Sequence, residues 1–271
     1  MTAPEDSPLA PERVAARLRS PGRWRLSGGG VTGSTNDDAR ALALAGEPGG
    51  AAVLATVQTA GRGRFDRVWE SPCGGVYLSA LFRPSLDPAQ AGTLALAAGV
   101  SVVRALDRLD PSLEPALGLK WPNDVLVDGG KLAGILVESS ARAGAIDWVV
   151  VGVGVNVVRI PDAPAGGRAF LSDLTRPESP ALEPDRVAAA VLDELADRLG
   201  HMPRDGDVRG GLLSEYEQLS GDVGREVTVR DRAGATVAEG RVAGFDGSGR
   251  MLVETPAGTV AVASGESTLR T

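Results

Sequence analysis

The sequence predicts an α+β protein in which a mixed, largely antiparallel central sheet is flanked by helices and followed by a small C-terminal β-barrel. Three strand-like runs, 119–127, 133–138 and 148–158, follow one another directly. Asp128-Gly129-Gly130 separates the first two of them and reads as a hairpin turn, which makes neighbouring strands antiparallel. From about Gly224 the texture changes to short Val-rich runs roughly every eight to twelve residues, parted by Asp-Arg-Ala-Gly, Asp-Gly-Ser-Gly and Pro-Ala-Gly turns, the spacing of a small barrel.

Taken in order, residues 1–26 are a Pro/Ala/Glu-rich lead with one short amphipathic stretch at 11–19, too short for a DNA-binding helix-turn-helix. Gly28-Gly29-Gly30 punctuates the chain, and Ser34, Thr35 and Asn36 supply capping side chains to a helix with Asp37 and Asp38 in its first turn and Gly46 at its end. A buried strand is predicted at 51–58, a long polar glycine-rich loop at 59–75 and a second strand at 76–82. Residues 89–109 carry the apolar spacing of a long helix packed on a sheet, ending near Asp110-Pro111. After the three consecutive strands comes a turn-rich segment at 172–184, then helices at 186–201 and 208–219, the second weakened by Gly210-Gly211. Barrel runs fall at 227–230, 236–245, 251–255 and 259–263. The domains expected are thus 1–26, 27–222 and 223–271.

Composition narrows the function. The 271 residues, 43% hydrophobic and 23% charged, exclude disorder over most of the chain. Asp plus Glu total 35 against 28 Lys plus Arg, a formal charge of −7, which disfavours nucleic-acid binding by bulk charge. One cysteine, Cys73, and one histidine, His201, permit no internal disulfide, no thiolate or imidazole zinc site and few His-based triads. His201 reads as a surface or helix-capping residue, Cys73 as an inert small residue rather than an oxidisable one, and Trp24 and Trp148 as core or interface. The N-terminus has no signal-peptide core, and an apolar stretch of ~18 residues is missing, so a cytoplasmic location without a membrane partner is expected.

Two constellations carry chemistry. The stretch Gly61-Arg62-Gly63-Arg64-Phe65-Asp66-Arg67-Val68-Trp69-Glu70-Ser71-Pro72-Cys73-Gly74-Gly75 combines glycines, which let backbone N–H groups approach an anion, with guanidinium groups that add charge and bidentate donors. It reads as an anion-binding loop or, more plainly, as a solvated surface loop. Its place between two apolar strands and its Trp69 favour a lid over a ligand. The spacing matches neither a Walker loop nor a dinucleotide fingerprint. The second constellation is Lys120-Trp121-Pro122-Asn123-Asp124 followed by Lys131-Leu132-Ala133-Gly134-Ile135-Leu136-Val137-Glu138. Pro122 is out of place inside a central strand, which puts Asn123 and Asp124 at a strand entry or bulge facing a cleft, with Lys131 at the strand mouth. The alternative is an ordinary exposed hairpin end.

These motifs, G-R-G-R-x-x-R-x-W-x-S-P-x-G-G and K-W-P-N-D with K-x-x-G-I-L, resemble the signature of the bacterial biotin protein ligases. Ser34-Thr35-Asn36, Gln58, Gly152-Val153-Gly154-Val155-Asn156 and the terminal Gly265-Glu266-Ser267-Thr268-Leu269-Arg270 match in order and spacing, so the resemblance runs from about residue 31 to the end. It implies the catalytic fold shared with lipoyl protein ligases, with an SH3-like barrel behind it, and a short form lacking the N-terminal DNA-binding domain, hence ligase without repressor and no DNA partner. It also implies an ATP- and Mg²⁺-dependent enzyme that activates biotin and transfers it to a lysine of a biotin carboxyl carrier domain, with the metal ligands unknown. The family often pairs subunits by sheet edges, so a homodimer is compatible with it. Carried over, Ser34, Thr35, Asn36 and Gln58 resemble the contacts to biotin's ureido ring; Arg62, Gly63 and Arg64 resemble the covering loop, and Gly134 falls in the biotin motif. Lys131 would meet the biotin carboxylate and the α-phosphate. Arg64, Arg67, Asn123, Asn156 and Arg270 would lie on the ATP side, with Trp69 over the closed site.

The chemistry gives those roles a reason. A carboxylate meeting a phosphate brings two anions together, and Arg64, Arg67, Lys131 and Mg²⁺ would offset the repulsion. The adenylate is a mixed anhydride destroyed by water, which a lid would exclude. Asp124 is the candidate to orient or deprotonate the acceptor amine, or else to fix Lys131 or Lys120 by charge pairing. Asp66 stands where the family commonly has glycine; it tolerates left-handed backbone, and pairing with Arg64 or Arg67 would tune loop closure. The competing functions are a lipoyl or octanoyl protein ligase, disfavoured by the arginine loop, the K-W-P-N-D motif and the barrel, and a non-enzymatic biotin-sensing regulator.

Overall fold

The apolar runs pair into a seven-stranded sheet in a computed structural model that describes residues 7–160, 167–174, 182–205 and 211–270. The larger, N-terminal part holds β1 (Arg25–Gly28), β2 (Val31–Thr32), β3 (Ala51–Ala55), β4 (Val57–Gln58), β5 (Val76–Phe82), β6 (Leu117–Lys120), β7 (Asp124–Val127), β8 (Gly130–Arg142) and β9 (Ala145–Val155). The large sheet runs β1-β3-β5-β9-β8-β7-β6. Only β1 and β3 pair in parallel; the remaining neighbours are antiparallel, giving the mixed architecture expected. Its helices are α1 (Pro11–Ala15), α2 (Thr35–Leu44), α3 (Ala91–Leu109), α4 (Pro184–Leu199) and α5 (Leu212–Leu219). Of the helix predicted at 208–219, residues 208–210 lie outside the described residues, as do 175–181 of the turn-rich segment and 1–6 of the lead.

The period-2 alternation of the strands sorts the two faces. Leu54, Leu78, Ala80 and Val151 belong to the large core that also takes in the buried residues of α3 and α4. Ala51, Val53, Leu81, Trp148 and Val150 form a smaller cluster with Ala39 and Ala43 of α2. The α2 face is therefore only partly covered, and that leaves room for a cleft.

Three predicted elements differ in detail. The run 51–58 breaks at Thr56, whose N–H and Oγ1 donate to the carbonyls of Gly30 (2.9 Å) and Gly29 (2.7 Å), so that β4 leaves the large sheet and pairs with β2. The run 119–127 is two strands, because Pro122 has no N–H for a ladder and sits in the turn between β6 and β7. The segment 88–109 does satisfy the length and composition of a membrane span, against the expectation that no such stretch exists; 67% of that window is buried, as befits the core helix α3.

Residues 7–24 of the lead pack as a strap. Leu9 and Val14 are fully buried and Leu18 nearly so, while Arg17, Arg19 and Arg23 pair with Asp185, Asp193, Glu194 and Asp197 of α4. At the other end β10 (Glu226–Arg230), β11 (Thr236–Phe245), β12 (Met251–Thr255), β13 (Gly258–Val262) and β14 (Glu266–Leu269) form a second, antiparallel sheet in the order β13-β12-β11-β10-β14. Trp121, 2% exposed, joins the two parts. Its backbone N–H donates to Asp222 Oδ2 at 2.7 Å and its indole Nε1 to the Gly249 carbonyl at 3.2 Å. Burial pushes the Asp222 carboxyl above its ordinary range despite the Trp121 N–H and the charge of Lys120.

Candidate active site

The loop predicted at 59–75 is an ordered flap. Bridges Gln58↔Ser71 and Arg62↔Val68 and the bonds Gly63 N–H to Arg67 O (2.7 Å) and Trp69 N–H to Gly61 O (2.9 Å) fold it back on itself. Phe65 (φ 58°) and Asp66 (φ 60°) form its left-handed tip, a conformation that costs an ordinary side chain about 1–2 kcal/mol per residue. Asp66 does not pair with Arg64 or Arg67. Its carboxylate reaches out from the tip to Arg232 of the barrel, because the left-handed turn carries it away from its own arginines.

Between this flap, α2 and the exposed face of β8 and β9 lies a cleft of about 140 Å³. Its floor is paved with glycine. A Cβ on Gly152 would overlap Asn36 Oδ1, one on Gly154 would overlap the Trp69 indole, and one on Gly134 would come 3.0 Å from Trp69 Cζ3. Gly134 and Gly154 are cross-strand partners, so the Trp69 ring rests on two adjacent strands where no side chain intervenes.

Around that floor stand Ser34, Thr35, Asn36, Gln58, Arg62, Gly63, Arg64, Arg67, Asn123, Asp124 and Lys131. At one end the Thr35 N–H donates to Gln58 Oε1 at 2.8 Å, so the glutamine serves the N-terminus of α2; Ser34 holds the capping position but makes no side-chain capping bond, contrary to expectation. Gln58 Nε2 donates to Ser71 Oγ (2.9 Å), which donates to the Trp69 carbonyl (2.9 Å). Arg62 ties the flap to Asp37 (2.7 Å) and Glu138 (3.1 Å). Its Nε and Trp69 Nε1 have no hydrogen-bond partner, as fits a site built for a polar ligand.

The other end is cationic. Lys131 Nζ lies 2.7 Å from Asp124 Oδ1, a charge contact whose alignment falls outside hydrogen-bond geometry, and 5.1 Å from the centre of the Trp69 ring. Arg64 donates to Asn123 Oδ1 (3.2 Å), Ser264 Oγ (3.2 Å) and the Gly265 carbonyl (3.3 Å). Burial lowers the pKa of its guanidinium, with Asp124 and Glu266 opposing the shift. Arg67 pairs with Glu266, and that hydrogen bond holds the Glu266 carboxyl below its ordinary range against the effect of burial.

Asn156 lies in an adjoining pocket behind Trp69, beside Lys131 and Arg168, its Nδ2 donating to the Lys131 carbonyl at 3.0 Å. Arg270 is not brought to the cleft. It pairs with Glu239 of the barrel at 2.8 Å, four residues along the chain from Glu266, about 13 Å of extended strand. Sequence reasoning gave no role to Glu266, Ser264, Ser79, Glu138 or Asp37. The visible signals were a serine inside the apolar run at 76–82, a glutamate closing the second motif, Asp37 in the first turn of its helix and Glu266 in the terminal matching stretch. No three His, Cys, Asp or Glu side chains converge as metal ligands among the described residues. The carboxylates at the cleft, Asp124 and Glu266, are each held by a cation, so the donor set does not fit a protein-built magnesium cage.

Residues 28–156 match the model of the biotin/lipoate A/B protein ligase family, and residues 222–269 match that of the biotin protein ligase C-terminal domain. A biotin–[acetyl-CoA-carboxylase] ligase of Paracoccus denitrificans is 36% identical over 242 residues, covering 87% of this chain and 96% of the relative. One from Mycobacterium tuberculosis is 37% identical over 238 residues, covering 87% and 85%. Among solved structures, the biotin protein ligase of Aquifex aeolicus in complex with biotin and ATP superimposes with a TM-score of 0.71 at 28% identity, covering 91% of this chain and 98% of that one. With relatives 36% and 37% identical matched over 96% and 85% of their length, and a fold shared with a solved biotin protein ligase, the chain belongs to the biotin protein ligase family of enzymes.

Proposed function

We propose that the chain activates biotin with ATP, the biotin carboxylate displacing pyrophosphate from the α-phosphate, and then passes the biotinyl group to the ε-amine of a carrier lysine with loss of AMP. The observation that carries this reading is the arrangement of a single cleft: a neutral hydrogen-bonding trio beside Arg62 at one end, and at the other three cations that outnumber the two carboxylates paired with them. Thr35, Asn36 and Gln58 suit a cyclic urea, and Lys131, Arg64 and Arg67 suit the carboxylate and phosphates. Support comes also from the Aquifex aeolicus relative, whose structure holds biotin and ATP. In the first step Lys131 and Arg64 offset the repulsion between two anions and stabilise charge building on the α-phosphate. Asn156 and Arg168 line the pocket that continues past Trp69, where the nucleotide has space to extend. Trp69 on its glycine floor, with the flap above, keeps water from the anhydride.

In the second step Asp124 is the base or orienting group for the incoming amine. While the cleft is open it neutralises Lys131; once Lys131 turns to the adenylate, the carboxylate is free to accept the amine proton. The acceptor is the biotin carboxyl carrier domain of a carboxylase, as the names of the relatives suggest. The test is exchange of labelled pyrophosphate into ATP with biotin, lipoate or octanoate, followed by labelling of an apo carrier domain. Exchange with biotin alone and a covalent biotin on the carrier are expected. Exchange only with lipoate or octanoate reassigns the acid, and no exchange with any acid favours a sensing role.

A further inference from the structure

Every residue of β5 is buried, so the hydroxyl of Ser79 in its middle carries a desolvation cost that only hydrogen bonds offset. The side chain is fully buried opposite Gly152 and Val53. Its Oγ donates to Asn36 Oδ1 at 2.7 Å and lies 2.8 Å from Thr35 Oγ1. At its other end the Asn36 amide is fixed by Glu138, whose Oε2 accepts from Nδ2 at 2.8 Å. An ionised carboxylate only accepts, so Glu138 draws the amide nitrogen to itself and leaves the oxygen to Ser79 and the cleft. The Thr35 hydroxyl is committed likewise, donating to Gln58 Oε1 at 3.1 Å. One serine proton therefore faces two acceptors, and lone pairs remain on both at the cleft wall. Gly152 completes the arrangement, since any side chain there would displace the Asn36 oxygen.

We propose that Ser79 is a positioning residue for the ureido ring, holding Thr35 and Asn36 oxygen-first toward the two ring N–H groups. The inference rests on the biotin reading above. Ser79 acts through its neighbours, from beneath the cleft wall.

The test is a binding cycle. Calorimetry would compare biotin with a biotin methylated on a ring nitrogen, for the wild type and for Ser79→Ala. Losing the serine proton is expected to weaken biotin binding about tenfold and to raise its KM in step, with kcat at saturating biotin changed less than about twofold. The penalty for N-methylation should shrink severalfold in Ser79→Ala, because the acceptors are already misaligned. A merely structural role would weaken both ligands equally, and additive losses overturn the proposal. Should Ser79→Ala fail to fold, Ser79→Cys, nearly isosteric with a weak donor, carries the same cycle. If the wild type itself does not bind biotin, the biotin reading falls and this inference with it; binding with additive losses removes this inference alone.

Discussion

The N-terminal strap and the arginine flap are both fastened by arginine–carboxylate pairs, yet they are built for opposite ends. In the strap, Arg17, Arg19 and Arg23 reach acids of α4 above a row of buried side chains, Leu9, Val14 and Leu18. In the flap, Arg62, Arg64 and Arg67 reach Asp37, Glu138, Asn123 and Glu266, but no side chain of the tip at 64–66 is fully buried and Val68 is 79% exposed. Exposed ion pairs contribute roughly 0–1 kcal/mol each, whereas a buried Leu or Val contributes about 1.5–3 kcal/mol. The strap is thus part of the folding unit. The flap is fastened by ion pairs and by Trp69 on its glycine floor, with little buried apolar surface of its own, so its contacts contribute less to the folding unit. Ion pairs alone do not tell a clasp from a hinge; the apolar residues beneath them do.

Four experiments would sharpen or break that contrast. The largest effect is expected for Lys131→Ala, beneath the flap: pyrophosphate exchange should fall about a thousandfold or more while the unfolding midpoint stays put, and retained exchange would remove Lys131 from the chemistry. In the strap, Leu9→Ala should cost about 3 kcal/mol in denaturant unfolding with kcat unchanged; a rate loss without destabilisation would erase the distinction. Arg64→Gly should cut exchange about a hundredfold and hasten release of bound adenylate, measured by filter retention, again without lowering stability.

The smallest effect is a pH dependence. Burial opposes ionisation of Asp197, but Arg23 and Arg19 together outweigh it and hold its carboxyl below the ordinary range. A carboxylate so depressed contributes stability that is complete above its unfolded pKa, near 3.9, and is lost as the pH falls through the folded value. The unfolding midpoint should therefore decline below about pH 4, and Asp197→Asn should make that decline shallower; an unchanged slope would mean the strap's ion pairs are incidental.

How far the site was legible follows from particular residues. The flap, Lys131, Asn123, Asp124 and the polar trio Thr35, Asn36 and Gln58 stand out as polar or glycine-rich breaks in apolar runs, and the structure gathers them in one cleft. Asp66 shows the limit: its left-handed backbone was legible from the residue type, but its partner was not, since Arg232 lies 166 positions away. Glu266 opens a short strand and Arg270 directly follows it, and nothing local says that the glutamate, not the arginine, faces the cleft.

By itself the sequence determined the main helices and strands, though not β1, β2 or β14, together with the hairpin at Asp128-Gly129-Gly130, the barrel and the candidate reactive groups. Each of these follows from local periodicity, turn chemistry and residue type. Only the tertiary structure decided that Ser79 and Glu138 direct Asn36, that glycines of β8 and β9 make the floor for Trp69, and that the barrel holds Arg64 and Arg67. Those are contacts between chain segments about 43 to 200 positions apart, and their geometry comes from sheet register and domain docking, which no single segment encodes.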